Sequence, residues 1–326
     1  MSARRILTWP TLPSVVLFLV IVALNGFLSK NFMSFTAWES FLQTTTPIIL
    51  ISIGMAVVML GGGIDLSVGS IVSVVNVIMV TTSGGFKDIG LQYEANIVSL
   101  PLILSFVVAI GFGLFNGLLI SVLRINALLA TFASSFVGFG VALAILPTPG
   151  GAVPEALGDL YYKKIFGVIP TCIILIAFLY ALWWVLSRTP FRLYLYSVGH
   201  STSKAFFSGV KVPQVVFSTY LFSAFSAWLA GIAISSNFGG GDPRIGSAMT
   251  LSPVAACVIG GISLAGGVGS ASGGIFGALF LNLILITVLG LNIPGYLQEL
   301  VSGAIVVVSL VMAVFISSRT QKLRNR

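Results

Sequence analysis

Long apolar runs separated by short polar breaks make up nearly the whole chain. They cover residues 12–28, 41–60, 65–82, 97–122, 127–146, 168–186, 213–235, 251–264, 271–289 and 297–317. Within each run the apolar residues are continuous rather than alternating, which predicts helices and not the strands of a membrane barrel. Most runs approach the roughly 20 residues needed to cross a hydrocarbon core. The expected fold is an all-α polytopic membrane protein of about ten transmembrane helices. One transmembrane domain, residues 1–326, holds all of them.

One break differs from the others. Gly61-Gly62-Gly63-Ile64-Asp65-Leu66-Ser67-Val68-Gly69-Ser70 places a carboxylate between two apolar runs, with no other acid between Glu39 and Asp88. A charged side chain at such depth costs roughly 2.5–3.5 kcal/mol on insertion scales, so it persists only where protein groups satisfy it. The glycines permit a sharp turn, and Asp65 is expected to cap the helix that follows by accepting from the free N–H groups of its first turn. A second glycine-rich break, Gly266-Gly267-Val268-Gly269-Ser270, lies between runs eight and nine. Runs 2–5 and 7–10 are offset by five, an odd number, which fits an inverted repeat of the kind built into many transporters.

Composition agrees with this class. Apolar residues are 57% of the chain and charged residues 7%, far below the roughly 25% charged of soluble domains. A net charge of +8 would raise nucleic acid as a partner for a soluble protein. Here the basic residues cluster at the ends of runs instead, so no nucleic acid is expected. With ten spans, the termini, the turn at Arg124 and the loop 187–212 share one side. That side collects eleven of the sixteen Lys/Arg and, among acids, Asp65 alone, whereas the other side holds five Lys/Arg and seven acids. The bias places both termini in the cytoplasm.

No Gly-x-x-x-x-Gly-Lys-Ser/Thr loop occurs, and His200 is the only histidine. The chain is therefore expected to be no enzyme, to bind no cofactor or metal, and to hydrolyse no ATP itself. The spans carry uncharged polar residues instead. Gln43, Thr46, Asn76, Asn126, Ser134 and Ser223 are the candidate lining of a path for a neutral, hydroxyl-rich solute; ordinary interhelical hydrogen bonds are the plainer use of such groups. Gly113 and Gly117 form a small-xxx-small face suited to close helix contact. Within the loop 187–212, residues 201–208 are expected to form a short helix capped by Ser201 and ended by Gly209, exposing Lys204 and burying Phe206 or Phe207.

At these motifs the chain resembles a family. Gly62-Gly63-Ile64-Asp65-Leu66-Ser67-Val68-Gly69-Ser70 is similar to the signature of permease subunits of ribose-type ABC sugar importers, with Gly62, Gly63, Asp65, Ser67 and Gly69 its defining positions. Four further segments stand in the family's order: Asn116 to Ile120, Leu195 to Gly199, Val258 to Leu264 and Gly266 to Ser270. The resemblance implies a bacterial inner-membrane subunit that moves a small sugar and works with a second permease chain, a cytoplasmic ABC ATPase and a periplasmic solute-binding protein. It implies ATPase coupling through Tyr196, Gly199, His200, Lys204, Phe206 and Gly209, with ATP held by the partner. Substitution of Gly199 or Phe206 should then break docking and leave the permease folded. Three segments depart from the family's pattern: Gly199-His200-Ser201, Thr250 to Val254, and Asn126-Ala127-Leu128. They bear on the solute and on whether the second permease is identical. Other readings of the same chain are an ABC permease for branched-chain amino acids or nucleosides, a facilitator or channel needing no ATPase, and a regulatory membrane scaffold.

Overall fold

A computed structural model describes residues 11–28, 31–82, 85–86, 91–92 and 98–291, with 294, 297, 300, 301, 303, 304, 307 and 311 beyond them. The helices are α1 (Leu12–Leu28), α2 (Phe35–Leu60), α3 (Val68–Thr81), α4 (Ser99–Ser121), α5 (Ala127–Ile145), α6 (Glu155–Tyr162) and α7 (Cys172–Leu186). After them come α8 (Pro190–His200), α9 (Thr202–Phe207), α10 (Val212–Phe238), α11 (Ser252–Ile259) and α12 (Ala271–Gly290). Two short antiparallel hairpins lie between helices: β1 (Gly85–Phe86) with β2 (Leu91–Gln92), and β3 (Lys164–Ile165) with β4 (Ile169–Pro170). The tenth apolar run falls almost wholly outside the described residues; the few of its positions that are described are helical.

The chain is an all-α membrane protein. By length and hydropathy, α2, α4, α5, α10 and α12 can each cross a membrane alone, and α7 with α8, bent by 85°, adds a sixth if counted as one broken span. Among the described runs, the sixth opens on β4 before α7, and two others are interrupted. The third begins with a non-helical turn and only then becomes α3. The eighth is the short α11, preceded by an extended stretch and a 3-10 turn, Ser247–Met249. Glycine and proline cause the second interruption: Gly239-Gly240-Gly241-Asp242-Pro243 cannot carry a helix onward from α10, and Gly239 ends α10 in the left-handed conformation at φ 75°.

α2 is the central helix. Its apolar residues from Ile49 to Leu60 are at most 1% exposed, and α7, α10, α11 and α12 all pack on it. α3 is buried on every side between α10, α4 and α5. The outer helices α4, α5 and α7 instead present exposed apolar side chains such as Val107, Phe115, Leu129, Phe136 and Phe178, as lipid-facing helices do. Among the buried helices, close approach depends on small residues. A Cβ at Gly113 or Gly117 would press on Ala224 or Phe217 of α10, so the expected small-xxx-small face of α4 does meet a partner helix.

The cytoplasmic-loop expectation holds in part. α9 starts at Ser201, whose hydroxyl accepts from the Lys204 N–H at 3.3 Å, and the chain leaves it through Gly209 at φ 81°. Neither phenylalanine is buried, however: Phe206 is 65% and Phe207 86% exposed, and Ala205 is the residue that turns inward. A six-residue helix has one inward position per turn, and the small residue takes it. Gly199 also differs from expectation. It ends α8 against the last turn of α2 and the second glycine break, where a Cβ would overlap the Leu60 carbonyl oxygen and stand 2.5 Å from the Gly267 nitrogen. Gly199 is a packing position, so its substitution should weaken the fold as well as any docking.

Gly199→Ala is accordingly expected to destabilise the permease by about 1–3 kcal/mol. Thermal unfolding of the purified protein measures this, and an unchanged midpoint would contradict the close packing of α8 on α2.

Candidate functional site

The first interrupted segment leaves α2 at Gly61 and runs to Ser67. Gly62 turns it at φ 84°, a conformation that a Cβ would strain. Asp65 is 1% exposed, and both carboxylate oxygens are used. Oδ1 accepts from the Ser67 N–H at 3.0 Å and the Ser67 hydroxyl at 2.6 Å, and Oδ2 accepts from the Ser223 hydroxyl at 2.7 Å. The expected helix cap is therefore only partly right. Asp65 closes a tight turn around Ser67, the residue preceding α3, and reaches no N–H of the helix's first turn; its second oxygen ties the turn to the middle of α10.

Neighbouring groups extend the connection. The Asn116 amide of α4 donates to the Ser67 hydroxyl at 2.9 Å, and Thr131 of α5 accepts from the Leu66 N–H at 3.0 Å. Four helices are thus joined through one turn. Two buried polar atoms beside it, the Tyr220 hydroxyl and Asn116 Oδ1, have no hydrogen-bond partner among the described residues. Tyr220 also lines a cavity of about 620 Å³ walled by Gly61, Gly62, Gly63, Arg124, Thr219 and residues of α9.

The second interrupted segment, from Gly239 to Leu251, runs alongside α3. Asn76 receives it: its amide donates to the Gly240 carbonyl and the Ser235 hydroxyl, both at 3.0 Å, and its Oδ1 accepts from the Asp242 N–H at 2.8 Å. The Ser73 hydroxyl accepts from the Gly246 N–H at 3.0 Å. Side chains of α3 thus satisfy three backbone groups of the segment, and its own turns and a bridge to Gly150 satisfy others, as non-helical chain inside an apolar bundle requires. At its far end the segment meets the start of α3, where Gly69 and Gly246 touch backbone to backbone. The N-terminal ends of two interrupted helices, α3 and α11, come together there.

The two glycine breaks also meet each other. The Gly267 N–H donates to the Leu60 carbonyl at 3.0 Å, and Gly266 lies against Gly62 and the Gly199 carbonyl. The Tyr196 hydroxyl donates to the Gly269 carbonyl at 2.7 Å, fixing α8 on the same junction.

The six candidate path residues do not share one surface. Asn76 and Ser223 belong to the two junctions just described. Thr46 is buried in α2 and donates to the Leu42 carbonyl at 2.7 Å, near Gln43, whose backbone carbonyl accepts from Tyr161 at 2.6 Å. Ser134 donates to Thr131 within α5 at 3.3 Å, and exposed Asn126 caps α5 by accepting from Leu128 and Leu129. Of the coupling candidates, Tyr196 and Gly199 face inward, while His200, Lys204, Phe206 and Gly209 are exposed. Sequence reasoning missed Ser235, Gly246 and Tyr220. The signal for the first two was the glycine- and proline-broken stretch at 239–243 before an unusually short apolar run.

A family model described as branched-chain amino acid transport system / permease component matches residues 38–310. The autoinducer 2 import system permease protein LsrC of Yersinia enterocolitica serotype O:8 / biotype 1B is 29% identical over 297 residues, covering 90% of this chain and 79% of that protein. The protein of the same description in Yersinia pestis (strain Pestoides F) is 30% identical over 296 residues, covering 90% and 81%. No solved structure matches the chain.

Replacing Asn76 by alanine strands the Gly240 carbonyl and the Asp242 N–H, and each buried group left unpaired costs about 1–3 kcal/mol. Ser235→Ala should cost less, because the Asn76 amide keeps its bond to the Gly240 carbonyl and the segment's backbone groups stay paired. Thermal unfolding of both variants checks the order; equal losses would contradict it.

Proposed function

The chain belongs to the branched-chain amino acid transport system / permease component family, and from that premise we propose that it carries a small sugar or related polyhydroxy solute through the inner membrane as one permease subunit of an ATP-driven importer. The observation that carries the solute class is the buried polar chemistry at mid-bundle. It consists of hydroxyls, amides and backbone groups around two interrupted helices, an arrangement that transporters use at substrate sites. Tyr220 and Asn116 there keep hydrogen-bonding capacity unspent. The described relatives, named for autoinducer 2 import, are in keeping with a solute other than an amino acid.

A branched-chain amino acid is the second reading, since the family's description names it. Its zwitterion would call for paired opposite charges within the bundle, and among the described residues the one salt bridge, Lys164 with Glu39 at 2.7 Å, joins the β3–β4 hairpin to the start of α2. The hydroxyl-rich solute fits better.

In this reading a cytoplasmic ATPase grips α9, whose Phe206 and Phe207 stand exposed. A second permease, identical or different, completes the membrane unit, and a periplasmic solute-binding protein delivers from the other side. Ten spans with both termini cytoplasmic follow from the charge bias. The matching interruptions that precede α3 and α11 support an inverted repeat of runs 2–5 and 7–10.

Two outcomes test the reading. Reconstituted with its ATPase and binding protein, the permease should take up a labelled pentose-like solute on ATP addition and not leucine; leucine uptake would reverse the choice, and uptake by the chain alone would favour a facilitator. Alanine at both Phe206 and Phe207 should weaken ATPase co-purification at least about tenfold, as loss of exposed aromatic anchors does, with normal thermal unfolding of the permease. Unchanged assembly would remove α9 from the docking surface.

A further inference from the structure

A second group of unused chemistry lies where the chain leaves the bundle between α7 and α8. The 85° bend there forms an elbow enclosing a cavity of about 380 Å³. Arg188 and Arg192 reach it from one side, and Ser270 and Ser272 from the other. A contiguous hollow of about 310 Å³ shares Ser187, Arg192 and Tyr196 with it.

The two guanidiniums are held in place without being neutralised. Arg188 lies over the Trp184 ring at 4.6 Å and Arg192 over the Tyr196 ring at 5.8 Å, which orients both guanidiniums toward the elbow's mouth while each keeps several N–H donors. Neither forms a salt bridge among the described residues, and no acidic residue lines either hollow. On the opposite wall, α12 starts at Ala271 with no acid in its first turn. The positive end of its dipole adds to the same field. The Ser270 and Ser272 hydroxyls, 2.8 Å apart, flank that start.

We propose that this elbow holds the phosphodiester headgroup of an anionic phospholipid. Two fork-shaped donors, a helix start and paired hydroxyls suit a phosphate with several acceptor oxygens. The surroundings choose a lipid over a free ion. Trp183, Trp184 and Tyr180 form an aromatic cluster of the kind that marks a membrane–water boundary. Trp184 and Val185 are more than half exposed beside the elbow, an apolar surface along which acyl chains can lie. Basic hollows between helices on the cytoplasmic side are established lipid sites in other proteins. The ligand would brace the joint between the membrane-spanning α7 and the α8–α9 segment.

Native mass spectrometry of the purified full-length permease, stripped of lipid and titrated with phosphatidylglycerol or phosphatidylcholine, tests this directly. One phosphatidylglycerol should be retained selectively. Retention should weaken roughly 30-fold in Arg188→Gln/Arg192→Gln, since each basic side chain near an anionic headgroup contributes about a factor of five. Ser272→Glu, which keeps both arginines and adds a carboxylate to the facing wall, should give a similar loss and guards against a folding defect in the double variant. Equal retention of the two lipids, or undiminished phosphatidylglycerol binding in both variants, would overturn the proposal. Displacement of the lipid by millimolar inorganic phosphate would overturn it in favour of a free-phosphate site.

Discussion

A carboxylate with no water around it must find its hydrogen bonds inside the protein, and this bundle is arranged to supply them to Asp65. Ser67 provides two donors from the turn itself, and Ser223 provides a third from α10. Because Ser67 is also bonded by Asn116, and the turn by Thr131, the position of one side chain fixes α3, α4, α5 and α10 relative to each other. The energetic reason is asymmetric. Each bond contributes modestly when made, yet leaving any of these groups unpaired in an apolar interior is costly.

The same constraint governs the second interrupted segment. Backbone from Gly239 to Leu251 enters the bundle as turns rather than an α-helix, and Asn76 and Ser73 satisfy three of its backbone groups, at Gly240, Asp242 and Gly246. Glycines then allow contacts that side chains would forbid, backbone against backbone at Gly69 with Gly246 and at Gly62 with Gly266. The breaks in the helices are therefore not slack. They are the most tightly determined places in the structure, and they lie where a transporter needs polar groups at depth.

Much of this was legible in the chain. Each of the first nine apolar runs contains a described helix, because continuous hydrophobicity and length leave few alternatives, and five of these helices, or six with the bent pair, can cross a membrane. The first glycine break was recognisable from Asp65, and the contact face of α4 from Gly113 and Gly117. What escaped was long-range. Run eight was taken as one helix, although its apolar content cannot show that Leu251 precedes a helix of only two turns. Asn126 and Ser134 looked like path residues because polarity within a run has no direction; one caps α5 and the other bonds within it. Hydrophobicity alone predicts that Phe206 or Phe207 turns inward, whereas α9 is too short to bury more than Ala205.

A structural anchor and a solute contact at Asp65 differ in one measurable respect. Thermal unfolding of the purified permease carrying Asp65→Ala, Ser223→Ala and both together gives a double-mutant cycle. An anchor predicts that the single losses are strongly non-additive, with a coupling of about 0.5–3 kcal/mol between the two positions. Additive losses, or an Asp65→Ala protein that unfolds like the wild type while its solute uptake is abolished, would contradict it.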